Sequence, residues 1–120
     1  MANSRRPMGA LEAEVLDVLW RADGPLTPAE VLAQLGDDLA YTTVMTTLTR
    51  LWQKELAERV KAGRAYAYRP TVTEAQFAAS RMQVELSKSS DRLATMSQFV
   101  GGLDAADVQR LLELLEQSDQ

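Results

Sequence analysis

The hydrophobic period of this chain changes near Leu56, and that change limits the folds open to it. Before it, apolar side chains recur at helical spacing: Leu11, Val15, Leu16, Val18, Leu19 and Trp20 alternate with Glu12, Glu14 and Asp17. Asp23-Gly24-Pro25 breaks this first helix. Thr27 then has the form of an N-cap, Pro28 needs no N–H partner at the first helical position, and Glu30 stands where an acid completes a capping box. The second helix is predicted to reach about Leu35, where Gly36-Asp37-Asp38 stops it, and a third to run from near Thr42 to about Glu55. After Leu56 the pattern turns strand-like. Ala57 to Lys61 and Ala65 to Arg69 flank Ala62-Gly63-Arg64, with Tyr66 and Tyr68 two apart, which is the form of a β-hairpin.

Pro70 and Thr71 close this unit, and Thr73-Glu74-Ala75-Gln76 matches a second capping box. A long helical region follows, with apolar contacts from Phe77, Met82, Leu86, Leu93, Met96 and Val100 and a possible interruption between Ser87 and Asp91. Gly101-Gly102 ends it, and Asp104 caps a last helix whose apolar stripe is Val108, Leu111, Leu112 and Leu115. The chain is thus expected to be mostly α with one small hairpin. Residues 1–9 read as a flexible tail, 10–70 as one domain and 71–120 as a helical segment. Three helices followed by a hairpin is the winged helix-turn-helix order, in which the third helix enters the major groove of DNA and the hairpin reaches flanking DNA.

A net charge of −4 looks unsuited to a polyanion, but the charge is unevenly placed. Residues 41–70 hold Arg50, Lys54, Arg59, Lys61, Arg64 and Arg69 against Glu55 and Glu58, a local net of +4, while both flanking segments are acidic. Such a run can also be an ordinary solvated face. The chain has no cysteine and no histidine, which removes disulfides, thiolate and imidazole metal ligands, nucleophilic cysteines and the usual general base. No enzyme activity, catalytic residue, cofactor or metal is expected. Asp37 and Asp38 offer carboxylate chemistry in principle, but adjacent acids in a turn are ordinarily solvent-facing or capping groups. Without a long apolar segment or a secretory signal, a cytoplasmic protein with no membrane association is the expected reading.

The third helix carries the candidate site. At about 100° per residue from Val44, Leu48 and Leu51 fall within about 40° and Met45 and Trp52 about 90° away, an arc expected to pack on the first two helices. Thr43, Thr46, Thr47, Arg50 and Lys54 fall between roughly 200° and 300°, one polar stripe expected to face DNA, with Thr42 at its start. Threonine offers a hydroxyl to bases or phosphates and a methyl to thymine, and arginine can bond guanine O6 and N7 together. Threonines also cap helix starts and bond back to the preceding turn. Lys61 and Arg64 flank Gly63 at the hairpin tip, where they would meet phosphates or the minor groove; turn tips are also charged simply because they are wet. Tyr66 and Tyr68 are expected to cover the core. In the tail, Arg5 and Arg6 are candidates for a minor-groove arm. A protein-interaction winged helix would use the same stripe on a different partner.

The segment after Thr71 has amphipathic helices but too little chain to close a core of its own, so it needs a partner surface. A second copy is the simplest partner, through Met82, Leu86, Leu93, Met96, Val100, Val108, Leu111, Leu112 and Leu115; folding back on its own winged domain is the alternative.

These residues carry a resemblance. Glu12 to Trp20 (EAEVLDVLW), Thr42 to Leu51 (TTVMTTLTRL) and Glu58 to Pro70 (ERVKAGRAYAYRP) resemble the penicillinase and methicillin-resistance repressors of the BlaI/MecI/CopY family, and the similarity covers nearly the whole chain. The resemblance implies a winged-helix domain and a helical dimerisation domain. It also implies binding of double-stranded palindromic TACA/TGTA-type operators as a homodimer, and repression of β-lactamase, penicillin-binding-protein or metal-homeostasis genes. Thr43, Thr46 and Arg50 match the family's recognition-helix pattern, which implies base or phosphate contacts for them. Two departures stand out. Copper-responsive members carry C-terminal cysteine pairs, which this chain lacks. Antibiotic-responsive members are inactivated by cleavage of an Asn-Phe bond in the dimerisation domain, and the nearest match here is Gln98-Phe99; a membrane-bound sensor protease is expected to end repression by cutting near Phe99 and separating the dimer.

Overall fold

The computed structural model describes residues 9–36 and 38–118; the expected tail up to Met8, with Arg5 and Arg6, and Asp37 of the turn lie outside the described residues. The element order is α1 (Ala10–Arg21), α2 (Pro28–Leu35), α3 (Tyr41–Gln53), β1 (Ala57–Ala62), β2 (Ala65–Pro70), α4 (Glu74–Lys88), α5 (Arg92–Gly101) and α6 (Ala105–Ser118). This is the mostly α winged helix-turn-helix order expected from the period change. The chain divides into two compact units, one ending at Phe77 and the other beginning at Ala78.

In the first unit, local signals set the helix ends. The Thr27 hydroxyl accepts from the Glu30 N–H at 3.2 Å while the Glu30 carboxylate accepts from the Thr27 N–H at 2.8 Å, a complete capping box ahead of Pro28. The core gathers Val15, Leu16 and Leu19 of α1, Val31 of α2, and Val44, Leu48 and Leu51 of α3. Ala57 and Tyr68 of the hairpin close it, each 2% exposed. Each fully buried aliphatic side chain here stabilises the fold by roughly 1.5–3 kcal/mol relative to exposure. The hairpin pairs Ala57 with Pro70 through Ala62 with Ala65, leaving Gly63-Arg64 as a two-residue turn. Gly63 has φ 68°, the left-handed value that such a tight turn demands at its first central position.

Two long-range ties were not legible in local pattern. Leu26, in the link between α1 and α2, forms an antiparallel bridge with Tyr68, each backbone N–H donating to the other's carbonyl at 2.9 and 2.7 Å. The Trp20 indole Nε1–H donates to the Val72 carbonyl at 2.9 Å, and its ring meets Phe77 edge-on with centroids 5.9 Å apart. Phe77 therefore belongs to the first unit, although its spacing aligns it with the helical segment.

The C-terminal end of α3 is strained at one residue. Glu55 has φ 64°, a left-handed conformation that a side chain makes costly, and the turn is held by the Leu56 N–H to the Leu51 carbonyl at 2.9 Å. Thr71 supports it, its hydroxyl donating to the Glu55 carbonyl at 2.7 Å. Replacing Glu55 with glycine is expected to raise unfolding free energy by about 0.5–1 kcal/mol, read by chemical denaturation. A loss of stability would show that the Glu55 side chain contributes more than its conformation costs.

The second unit is built differently. The break between α4 and α5 falls where the polar Ser87–Asp91 stretch predicts, and Asp91 caps α5 by accepting from the Ala94 N–H at 3.1 Å. Asp104 accepts from the Asp107 N–H at 2.8 Å and starts α6 as expected. None of α4, α5 and α6 has a buried residue. Among the described residues, no helix is long and apolar enough to cross a membrane.

Candidate nucleic-acid interface

α3 presents a polar face because its apolar residues are consumed by the core. Val44, Leu48 and Leu51 point inward at 0% exposure, and Thr42, Thr43, Thr46 and Arg50 are exposed. Thr47 departs from the expected stripe. It is 5% exposed, and its hydroxyl donates to the Thr43 carbonyl at 2.9 Å, so it is a core residue whose polar atom is satisfied by its own helix. Thr42 does not cap α3 either; the N-cap is Ala40, with no side-chain bond. Thr47→Val, which keeps the shape and removes the hydroxyl, is expected to leave DNA affinity within about twofold, since the group it removes is internal. A loss of tenfold or more by anisotropy would return Thr47 to the binding face.

The basic residues of the 41–70 segment separate into two sets. Lys54 is the C-cap residue of α3, and its half-exposed ammonium lies 2.9 Å from the Glu12 carboxylate of α1. Arg69 pairs with Glu58 across the hairpin. Among the described residues, no carboxylate pairs with Arg50, Arg59, Lys61 or Arg64. Arg50 is exposed on α3, and Lys61 and Arg64 are exposed at the hairpin end. Four uncompensated cations on the third helix and the wing are a surface suited to a polyanion.

Trp52 and Tyr66 also differ from expectation. Trp52 is 38% exposed and does not complete the core arc; Tyr66 is 40% exposed, while Tyr68 alone of the pair enters the core. The Arg59 guanidinium carbon lies 3.6 Å from the Trp52 ring centroid and 4.3 Å from that of Tyr66. Lys61, opposite Tyr66 in the hairpin, has its ammonium 5.7 Å from the same ring. Sequence reasoning missed Arg59. The available signal was its place two residues before Lys61, which puts both cations on one face of β1.

In the second unit, Met82, Leu86, Met96, Val100, Leu111 and Leu115 line one apolar cleft of about 640 Å³. Leu93, Val108 and Leu112 lie outside its lining; Leu93 is 76% exposed. Phe99 joins the lining and is half exposed, and Gln98 precedes it on α5. Several of these apolar side chains, Met82, Met96, Phe99, Val100 and Leu115 among them, are about half exposed.

The fold, the threonine-rich third helix and the cations of the wing define a winged-helix transcriptional regulator. The chain belongs to the penicillinase repressor family, which it matches over residues 8–117. It is 38% identical over 110 residues to the transcriptional regulator BlaI of Mycobacterium tuberculosis, covering 86% of this chain and 80% of that protein. Among solved structures it is similar to hsRosR-S4, with a TM-score of 0.50 and 22% identity over 88% of this chain and 94% of the other. It is also similar to the PcaV regulator of Streptomyces coelicolor, with a TM-score of 0.48 and 23% identity over 99% and 78%. The chain is a transcriptional repressor of the BlaI type, and its curated relatives are transcriptional regulators.

Proposed function

We propose that the chain represses transcription as a homodimer on a palindromic operator of the TACA/TGTA type, placing α3 of each protomer in successive major grooves. Thr43, Thr46 and Arg50 read bases or adjacent phosphates, Thr42 lies at the entry to the groove, and Lys61 and Arg64 hold the flanking backbone. The observation that supports this most is the set of uncompensated cations beside the exposed threonine face. Dimerisation through the second unit follows from three amphipathic helices without a buried residue, whose apolar cleft a second copy can fill by symmetry. The protein acts in the cytoplasm without membrane association, on antibiotic-resistance or cell-envelope genes.

Selection from a random-sequence duplex pool tests this reading. It is expected to return an inverted repeat with half-sites about 10 base pairs apart, centre to centre, or a multiple of that spacing. Recovery of no enriched sequence would contradict it and favour a stripe that binds protein.

Release from DNA follows when a membrane-bound sensor protease cuts the chain at or near Gln98-Phe99. The bond lies near the end of α5, just before Gly101-Gly102, where little helix must unwind to present an extended chain. Cutting there divides the dimerisation unit. Intact protein in cells whose target genes have switched on would contradict this route.

A further inference from the structure

Arg59 sits where β1 leaves the end of α3, half-buried, with its guanidinium against Trp52 of α3 and Tyr66 of β2. With ring centroids 3.6 and 4.3 Å from its central carbon, the guanidinium is held against both rings at stacking distance. The guanidinium N–H donors lie in the plane of the group, so stacking leaves the edge of the fork available. A half-buried cation ordinarily finds a carboxylate, and among the described residues Arg59 has none. A side chain needed only to brace the wing against the helix would serve better without a charge. A second cation stands beside it and favours an anionic partner: Lys61 lies on the same face of β1, with its ammonium 5.7 Å from the Tyr66 ring.

We infer that Arg59 is a phosphate-binding residue, held edge-outward by Trp52 and Tyr66 to take one backbone phosphate of the DNA in the crease between the third helix and the wing. The inference rests on the DNA-binding reading above and adds a contact to it. Stacking removes most of the rotamer freedom that a long cation would otherwise lose on binding, so the contact is preorganised. The planar fork can bond two phosphate oxygens at once, which a lysine cannot reproduce.

The test uses the full chain and two duplexes, a TACA/TGTA palindrome and a scrambled sequence of equal length, titrated by anisotropy across a salt series. Arg59→Ala is expected to weaken both duplexes alike, on the order of tenfold, and to reduce the salt slope by about 0.9, the contribution of one phosphate. Arg59→Gln, nearer in size and neutral, is expected to do the same, which guards against a folding defect in the alanine variant. Arg59→Lys is expected to keep the slope and lose part of the affinity. Unchanged affinity in both neutral variants would overturn the inference while leaving the DNA-binding reading intact. Weaker binding with an unchanged slope in a folded variant would also overturn it, by making Arg59 a brace only. Wild-type protein that binds neither duplex at low salt would overturn the DNA-binding reading and this inference together.

Discussion

Met96→Lys is expected to separate the proposed dimer into monomers and to lower affinity for a palindromic duplex by about 10²- to 10⁴-fold. Met96 lies on α5 and lines the apolar cleft with Leu111 and Leu115, so a lysine there brings a charge into the surface a second copy would cover. The first unit has its own core from Val15 to Tyr68 and contains none of these residues, so it is expected to stay folded. The size of the effect comes from linkage. In a dimer, the second half-site is bound at the high effective concentration set by the first, and a monomer loses that advantage without losing any contact to DNA. Sedimentation equilibrium and anisotropy check both parts, and a duplex with one half-site should discriminate little between wild type and variant. A variant that remains dimeric, or a monomer that binds the palindrome as tightly as wild type, would refute the assignment of this cleft.

Arg50→Ala is expected to lose about 1–3 kcal/mol on the operator and to relax base preference at one position of each half-site. Arg50 is exposed on the polar face of α3, and among the described residues no carboxylate pairs with it, so the wild-type guanidinium need not break an ion pair to reach a base. Lys61→Ala provides the contrast. Placed on the wing, it is expected to weaken all sequences alike and to lower the salt slope by about 1. Equal losses on operator and random DNA from both substitutions would contradict this division between reading bases and holding the backbone.

Elements governed by neighbouring residues were legible in the chain. Thr27-Pro28 with Glu30, Asp104 before α6 and Gly63 in the hairpin all act within a few residues, and each lies where its local chemistry requires. The polar face of α3 was legible for the same reason. A helical projection gives direction but not depth, and it placed Thr47 with the exposed stripe, although a threonine that bonds its own backbone can be buried without penalty. Trp52 was misplaced because the side of α3 it occupies is flanked by the wing, where Arg59 meets it. The Leu26–Tyr68 bridge and the Trp20–Phe77 contact join residues more than forty apart, a separation no local pattern records.

Fluorescence anisotropy on a TACA/TGTA palindrome and a scrambled duplex of equal length, across a salt series, shows whether α3 reads sequence. A preference of roughly 10³-fold or more for the palindrome is expected, with affinity falling steeply as salt rises. Equal, weak binding to both duplexes, together with failure of a random pool to yield any preferred sequence, would contradict sequence-specific repression through α3.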